Sequence, residues 1–193
     1  MATVVQQRNV PDAILSLSTM DSPDYVDFFT ATASGATDES PKQWARAAVE
    51  GVSPWGRLVA WRVLCGLRLE SRPSPEHLAG WKIADRGDGW IRMEASSWFM
   101  TAHIVFHVDE GHVCFATFVR YDKPMAALVW PAVSIIHRRA VPDLLRYAVK
   151  RDDDLLEKSV RPEAHRCRSR KARRAAVSRW CMIARTTCRS RSS

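Results

Sequence analysis

The stretch from Met100 to Tyr121 reads as one β-hairpin, and its turn fixes its register. With Glu110-Gly111 as the two-residue turn, Val108 pairs with Val113, Phe106 with Phe115, Ile104 with Thr117, Ala102 with Val119 and Met100 with Tyr121. These pairs make one face almost wholly apolar. The opposite face carries His107 with Cys114, Val105 with Ala116, His103 with Phe118 and Thr101 with Arg120. Strand side chains alternate with a period of two, so a slip of one residue would mix the two sets. The apolar face needs a helix against it. The semi-polar face is expected either to be solvated or to line part of a cavity.

The covering helix follows in the chain. After Lys123-Pro124, the residues Val129, Val133, Ile136, Ala140 and Leu144 recur at steps of three and four. Pro131 and Pro142 lie inside this run and each removes a backbone donor, which predicts two helical pieces or a helix kinked at each proline. Upstream, Ile91, Met93 and Ala95 alternate with Arg92, Glu94 and Ser96, so residues 90–97 read as a strand. A short strand from Trp81 to Asp85 precedes it through the turn Arg86-Gly-Asp-Gly. Residues 24–32 are rich in aromatic and β-branched types and read as the first strand.

Between these strands lie two helix starts. Ser40-Pro-Lys-Gln offers a capping hydroxyl, proline at the first helical position, and a glutamine that can reach back to the cap. Trp44, Ala47 and Ala48 then share a face, and Gly51 ends the helix. Ser53-Pro54 opens a second helix in the same way, with Trp55, Val59, Val63 and Leu67 every four residues. Ser74-Pro-Glu-His is expected to form one helical turn. Strand, bent helix pair, antiparallel strands and long C-terminal helix make the chain α+β.

This order, with Gly80-Trp-Lys-Ile, the strands from Trp90 to Val108, and Val129-Trp-Pro-Ala-Val-Ser-Ile-Ile-His-Arg, resembles the helix-grip fold of the polyketide cyclase/START-like (SRPBCC) superfamily. Within it, the chain resembles an uncharacterised bacterial family whose last helix opens on a Trp-containing segment and a His-Arg pair. The resemblance covers residues 22–150 and implies an antiparallel sheet wrapped around the C-terminal helix, with an apolar cavity between them. Residues 1–21 are then an N-terminal arm, loose or a short element, and residues 151–193 a basic, disordered tail. The superfamily's carriers imply an apolar partner, a lipid or polyketide-like molecule. Its cyclases and dehydratases imply the alternative of an enzyme in the same cavity.

On that frame the ligand is expected to touch Trp81, Met93, Met100, Ile104, Phe106, Phe115, Val133 and Ile136, with Arg120 or His137 as polar anchors. His137 is also the candidate acid/base, because imidazole titrates near neutrality and Arg138 beside it offers a fork of donors for an anion. The competing reading packs His137 on the sheet and pairs Arg138 with an acid on the helix pair. His103, His107 and His112 cluster by sequence, but four residues along a strand span about 13 Å, too far for one metal. They are expected to face solvent. The sequence contains no G-x-S-x-G, no phosphate-cradling glycine loop and no dinucleotide fingerprint, so no cofactor is implied.

Charge divides the chain. From Lys158 to Ser193 there are twelve Lys/Arg and one acid, Glu163, so this segment carries +11 of a chain whose net charge is +8 and leaves −3 to residues 1–157. Three readings stay open for it: a passive tail, a segment that displaces counterions from nucleic acid, or out-of-frame translation of GC-rich DNA, which its Arg/Ser/Cys bias resembles. The five cysteines form no C-x-x-C pair, and the N-terminus has no charged-then-apolar leader, so a reducing, cytoplasmic setting is expected. The longest apolar run, Ala126 to Val133, contains Pro131 and falls far short of the ~20 residues a membrane span requires.

Overall fold

A computed structural model describes residues 3–155 apart from 34, 35, 37, 38, 52, 54, 56 and 57. In chain order the elements are β1 (Val4–Gln7), α1 (Asp12–Leu15), β2 (Tyr25–Thr32), α2 (Pro41–Glu50), a π-helical segment (Leu58–Leu64), β3 (His77–Leu78), β4 (Trp81–Gly87), β5 (Trp90–Ser96), β6 (Met100–Asp109), β7 (His112–Tyr121) and α3 (124–155). The seven strands form one antiparallel sheet in the order β1-β2-β7-β6-β5-β4-β3. By its contacts the chain divides after Asp152, and everything below concerns the first unit, Met1–Asp152.

The β6–β7 hairpin takes the register its turn dictates, from Val108 opposite Val113 to Met100 opposite Tyr121. Gly111 sits at φ 76°, a conformation that side-chain-bearing residues rarely adopt. One sheet face then carries Phe29, Ala31, Trp81, Ile91, Met93, Ile104, Phe106, Phe115 and Val119, all buried. α3 packs on this face through Ala126, Trp130, Val133, Val141, Leu145, Ala148 and Val149. Each fully buried phenylalanine in such a layer contributes about 1.5–3 kcal/mol.

α3 is helical in one run through both prolines, so of the two expectations the pair of separate pieces is not met. The carbonyls that lose a donor to Pro131 and Pro142 are those of Ala127 and Arg138, both on exposed residues where water can replace the bond. The buried stripe is also turned from the one the spacing suggested. Ile136 is 59% exposed, while Trp130, Val141 and Leu145 lie inside.

α2 has the capping box its sequence announces. The Gln43 amide donates to the Ser40 hydroxyl, and the Ser40 amide donates to Gln43 Oε1 at 2.8 Å. Its Trp44 indole donates to the Ala36 carbonyl at 3.0 Å from a fully buried position. The second helix of the pair is π-helical rather than α-helical. The Cys65 amide reaches back to the Ala60 carbonyl at 3.3 Å, five residues earlier. The wider turn breaks the four-residue stripe, so Val63 is 67% exposed and burial passes to Cys65 and Leu67. Residues 74–78 form a turn into β3, not a helical turn, because Leu78 pairs with Trp81.

The middle of the other sheet face is covered rather than solvated. The N-terminal residues lie on it. Ile14 and Met20 pack on Phe28, Val105, Ala116 and Phe118 in a second buried cluster. β1 extends the sheet by pairing with β2, so the arm is an integral layer of the unit. Polar bonds fasten it. Arg92 donates to the Leu17 carbonyl at 2.9 Å and to Glu94 at 3.0 Å, and the Ser18 hydroxyl meets His103 Nδ1 at 3.1 Å. His103 is thus buried, contrary to the solvent-facing position expected for it. His112 is exposed and His107 half-buried.

Two outcomes test this outer layer. Phe118→Ala should cost about 3–5 kcal/mol in urea denaturation, as for a core phenylalanine; a cost below about 1 kcal/mol would mean the arm does not cover the face. Burial holds His103 below the ordinary imidazole range, with Arg92 and Arg120 adding to the shift and Glu94 opposing it. The unfolded chain therefore takes up this proton first. Stability from the neutral ring is full above about pH 6.5 and is lost as pH falls from there toward the folded value. His103→Gln should flatten that part of the pH–stability curve.

Candidate functional site

Between the inner sheet face, the π-helical segment and α3 lies a cavity of about 120 Å³. Its wall is made by Trp61, Leu64, Cys65 and Leu67 from the helical side, Trp81, Met100, Ala102, Ile104 and Thr117 from the sheet, and Trp130, Val133, Ile136, His137, Val141 and Leu144 from α3. The alternation of β6 and β7 places Met100, Ala102, Ile104 and Thr117 on one face, and α3 brings His137 onto Thr117.

Of the residues the sequence nominated, Trp81, Met100, Ile104, Val133, Ile136 and His137 come together in this wall. Ile136 is at the rim, given its exposure. Met93, Phe106 and Phe115 lie on the same sheet face but in the solid core beside the cavity, where Phe106 and Phe115 meet edge to face at 5.0 Å. Arg120 is on the opposite face, an even-numbered position of β7, and donates to Asp122 at 2.9 Å; it does not reach the cavity.

Next to the wall is a polar cluster that sequence reasoning did not assemble. Asp27 Oδ2 lies 3.3 Å from His137 Nε2 and accepts a hydrogen bond from the Tyr25 hydroxyl at 2.8 Å. Thr117 Oγ1 is 3.0 Å from the same His137 nitrogen. Arg138 donates to the Tyr25 oxygen at 2.9 Å and lies over the Tyr25 ring. Asp27 is 4% exposed, and its second oxygen, Oδ1, is buried without a hydrogen-bond partner among the described residues. Burial raises the Tyr25 hydroxyl well above its ordinary pKa, and the Asp27 charge raises it further, so Tyr25 keeps its proton. Its hydrogen bond with Arg138 pushes the guanidinium up as well. Trp130 packs edge-on against Tyr25 at 5.1 Å and also beside the His137 ring, which orients the imidazole.

One signal for this cluster was present in the sequence. Tyr25, Asp27, Phe29 and Ala31 are alternate residues of one strand, and a carboxylate in such an inward set marks a buried polar site. Thr117 was likewise the polar member of the apolar hairpin face. His137 packs on the sheet through Thr117 and is also part of the cavity wall. Arg138 pairs with Tyr25 on β2, not with an acid of the helix pair.

Other chemistry is poorly served here. Burial pushes the Cys65 thiol up to about 11, and a thiol held there is not a nucleophile near neutrality. Among the described residues, no three His, Cys, Asp or Glu side chains converge on a common point. A larger surface groove of about 560 Å³ lies outside, with Arg46, Arg62, Arg72, Glu70 and His77 in its wall and Trp61 shared with the inner cavity. Arg62 is used by the loop, donating to the Leu69 carbonyl and the Ser71 hydroxyl. Glu70 accepts from the Ser71 and Arg72 amides. No described helix is long and apolar enough to cross a membrane. The basic segment after residue 157 lies outside the described residues.

Comparison with protein-family models, with curated proteins and with solved structures gives no match. The site's own geometry is therefore the basis for a functional reading. Tyr25→Phe checks whether the cluster is formed as described. Removing the hydroxyl that joins Arg138 to Asp27 should cost about 1.5–3 kcal/mol in urea denaturation. A neutral outcome would mean that Asp27 and Arg138 are not linked.

Proposed function

We propose that this protein is a helix-grip protein of the START-like kind that holds an apolar small molecule between its sheet and α3. The observation that carries the reading is the 120 Å³ cavity at that place, walled by aliphatic and aromatic side chains with Thr117 and His137 at one side. Ligand sites have this anatomy, an apolar wall with a few placed polar groups. The volume narrows the ligand class. An apolar cavity of roughly 150 Å³ accepts a benzene ring, whereas drug-sized ligands occupy about 300–1,000 Å³. The enclosed part of the ligand is accordingly at most one ring or a short acyl chain, as at the end of a small polyketide or fatty acid, rather than a whole sterol.

The test is native mass spectrometry of the mildly purified full chain, followed by solvent extraction. A co-purifying apolar molecule is expected in the parent protein and absent from Ile104→Trp, whose indole fills the cavity. A ligand retained by Ile104→Trp would place binding elsewhere and overturn the reading.

A further inference from the structure

We infer that Asp27 and His137 form an acid–base pair that moves a proton on a carbonyl compound held in this cavity; the inference rests on the cavity being the ligand site. His137 Nε2 faces Asp27 Oδ2 at 3.3 Å and Thr117 Oγ1 at 3.0 Å. Nδ1 has no hydrogen-bond partner among the described residues. Tyr25 already donates to Asp27 Oδ2, so that carboxylate is an acceptor toward the histidine. The neutral imidazole is therefore held with its proton on Nε2 and its lone pair on Nδ1. A His in a cavity wall with a carboxylate behind it and a bare nitrogen is the arrangement a general base requires.

The same geometry decides against acyl transfer. A nucleophilic relay needs the hydroxyl and the carboxylate on opposite ring nitrogens. Here Thr117 and Asp27 share one nitrogen, and Cys65 is held as a thiol. The remaining wall is apolar and offers few groups to position an attacking water. What is left is proton transfer from the substrate itself. Nδ1 takes a proton from the carbon beside a carbonyl, the C–H electron pair moves into the enolate, and the imidazolium formed is neutralised by Asp27. The proton then returns to the same carbon or, in a β,γ-unsaturated ketone, to the γ carbon, giving the conjugated isomer. Atoms and electrons balance without an oxidant or a second substrate.

The probe is a β,γ-unsaturated cyclohexenone, a single ring of a size that suits the cavity, incubated with the full chain in deuterated water. Its binding is followed by ligand-detected NMR, and its exchange and isomerisation by NMR and ultraviolet absorbance. Binding with accelerated exchange is expected, and His137→Gln should reduce the rate by at least about a hundredfold, the lower end of what a positioned base contributes. Asp27 acts as a positioning residue. Asp27→Asn should slow exchange about tenfold or more with probe affinity unchanged, and should move the nitrogen-15 shifts of His137 away from the Nε2-protonated tautomer. If Asp27→Asn does not fold, His137→Gln decides alone. Binding without accelerated exchange would overturn the acid–base pair and leave the cavity reading standing. Absence of binding would overturn both.

Discussion

The structure depends on the register of the β6–β7 hairpin. Val108 opposite Val113 sets every later pair, and with it which side chains face α3 and which face the N-terminal layer. Both faces of these two strands are buried along their middle, so the usual contrast of an apolar inside with a wet outside is confined to their ends. A shift of β6 by one residue against β7 would bring His103 and His107 against α3 and turn Phe106 under the arm, leaving Phe115 without its partner. Gly111 protects the register by taking a backbone conformation that keeps the turn at two residues. Thr117 meets His137 only in this register, so the site inherits its geometry from the turn.

Much of the fold could be read because local signals agreed with each other. The capped start at Ser40, the hairpin pairs and the strand at Tyr25–Thr32 all follow from spacing within a few residues. What could not be read was long-range. The outer face of the sheet shows His103, Thr101 and Arg120 beside Val105 and Phe118, a mixture typical of a wet surface. Its centre, at His103, Val105 and Phe118, is buried because a segment some 85 positions earlier lies on it, and nothing near His103 records that. The π-helical segment is illegible for a different reason: a repeat of four suits an α-helix, and the wider turn shows in bonds such as Cys65 to Ala60.

The cavity and its polar neighbour show the same division. The hydrophobic wall was half visible, because Met100, Ile104 and Val133 sit on predictable faces. Its limits were not, since whether Phe106 lines a void or fills it depends on packing density rather than pattern. A lone acid in a strand, such as Asp27, is ambiguous until its partners on α3 are known. A buried carboxylate is costly unless its surroundings compensate it. Here Tyr25 and His137 do so at one oxygen while the other has no partner among the described residues. Polar groups left in this state cluster where a protein gives up stability for chemistry.

The arm has a consequence for how the chain reaches this structure. β2 pairs with β7, Tyr25 against Val119, and Leu17 and Ser18 bond to residues 75 and 85 positions further on. The first quarter of the described chain therefore finds its partners late. Until the hairpin exists, Phe28 and Met20 have nothing to lie against, and long loops must close before any of these contacts is rewarded. Such a topology folds slowly for its size. During synthesis its earliest residues wait in the open for the centre of the sheet, which makes the interval before the hairpin closes the one in which the chain is most exposed to aggregation.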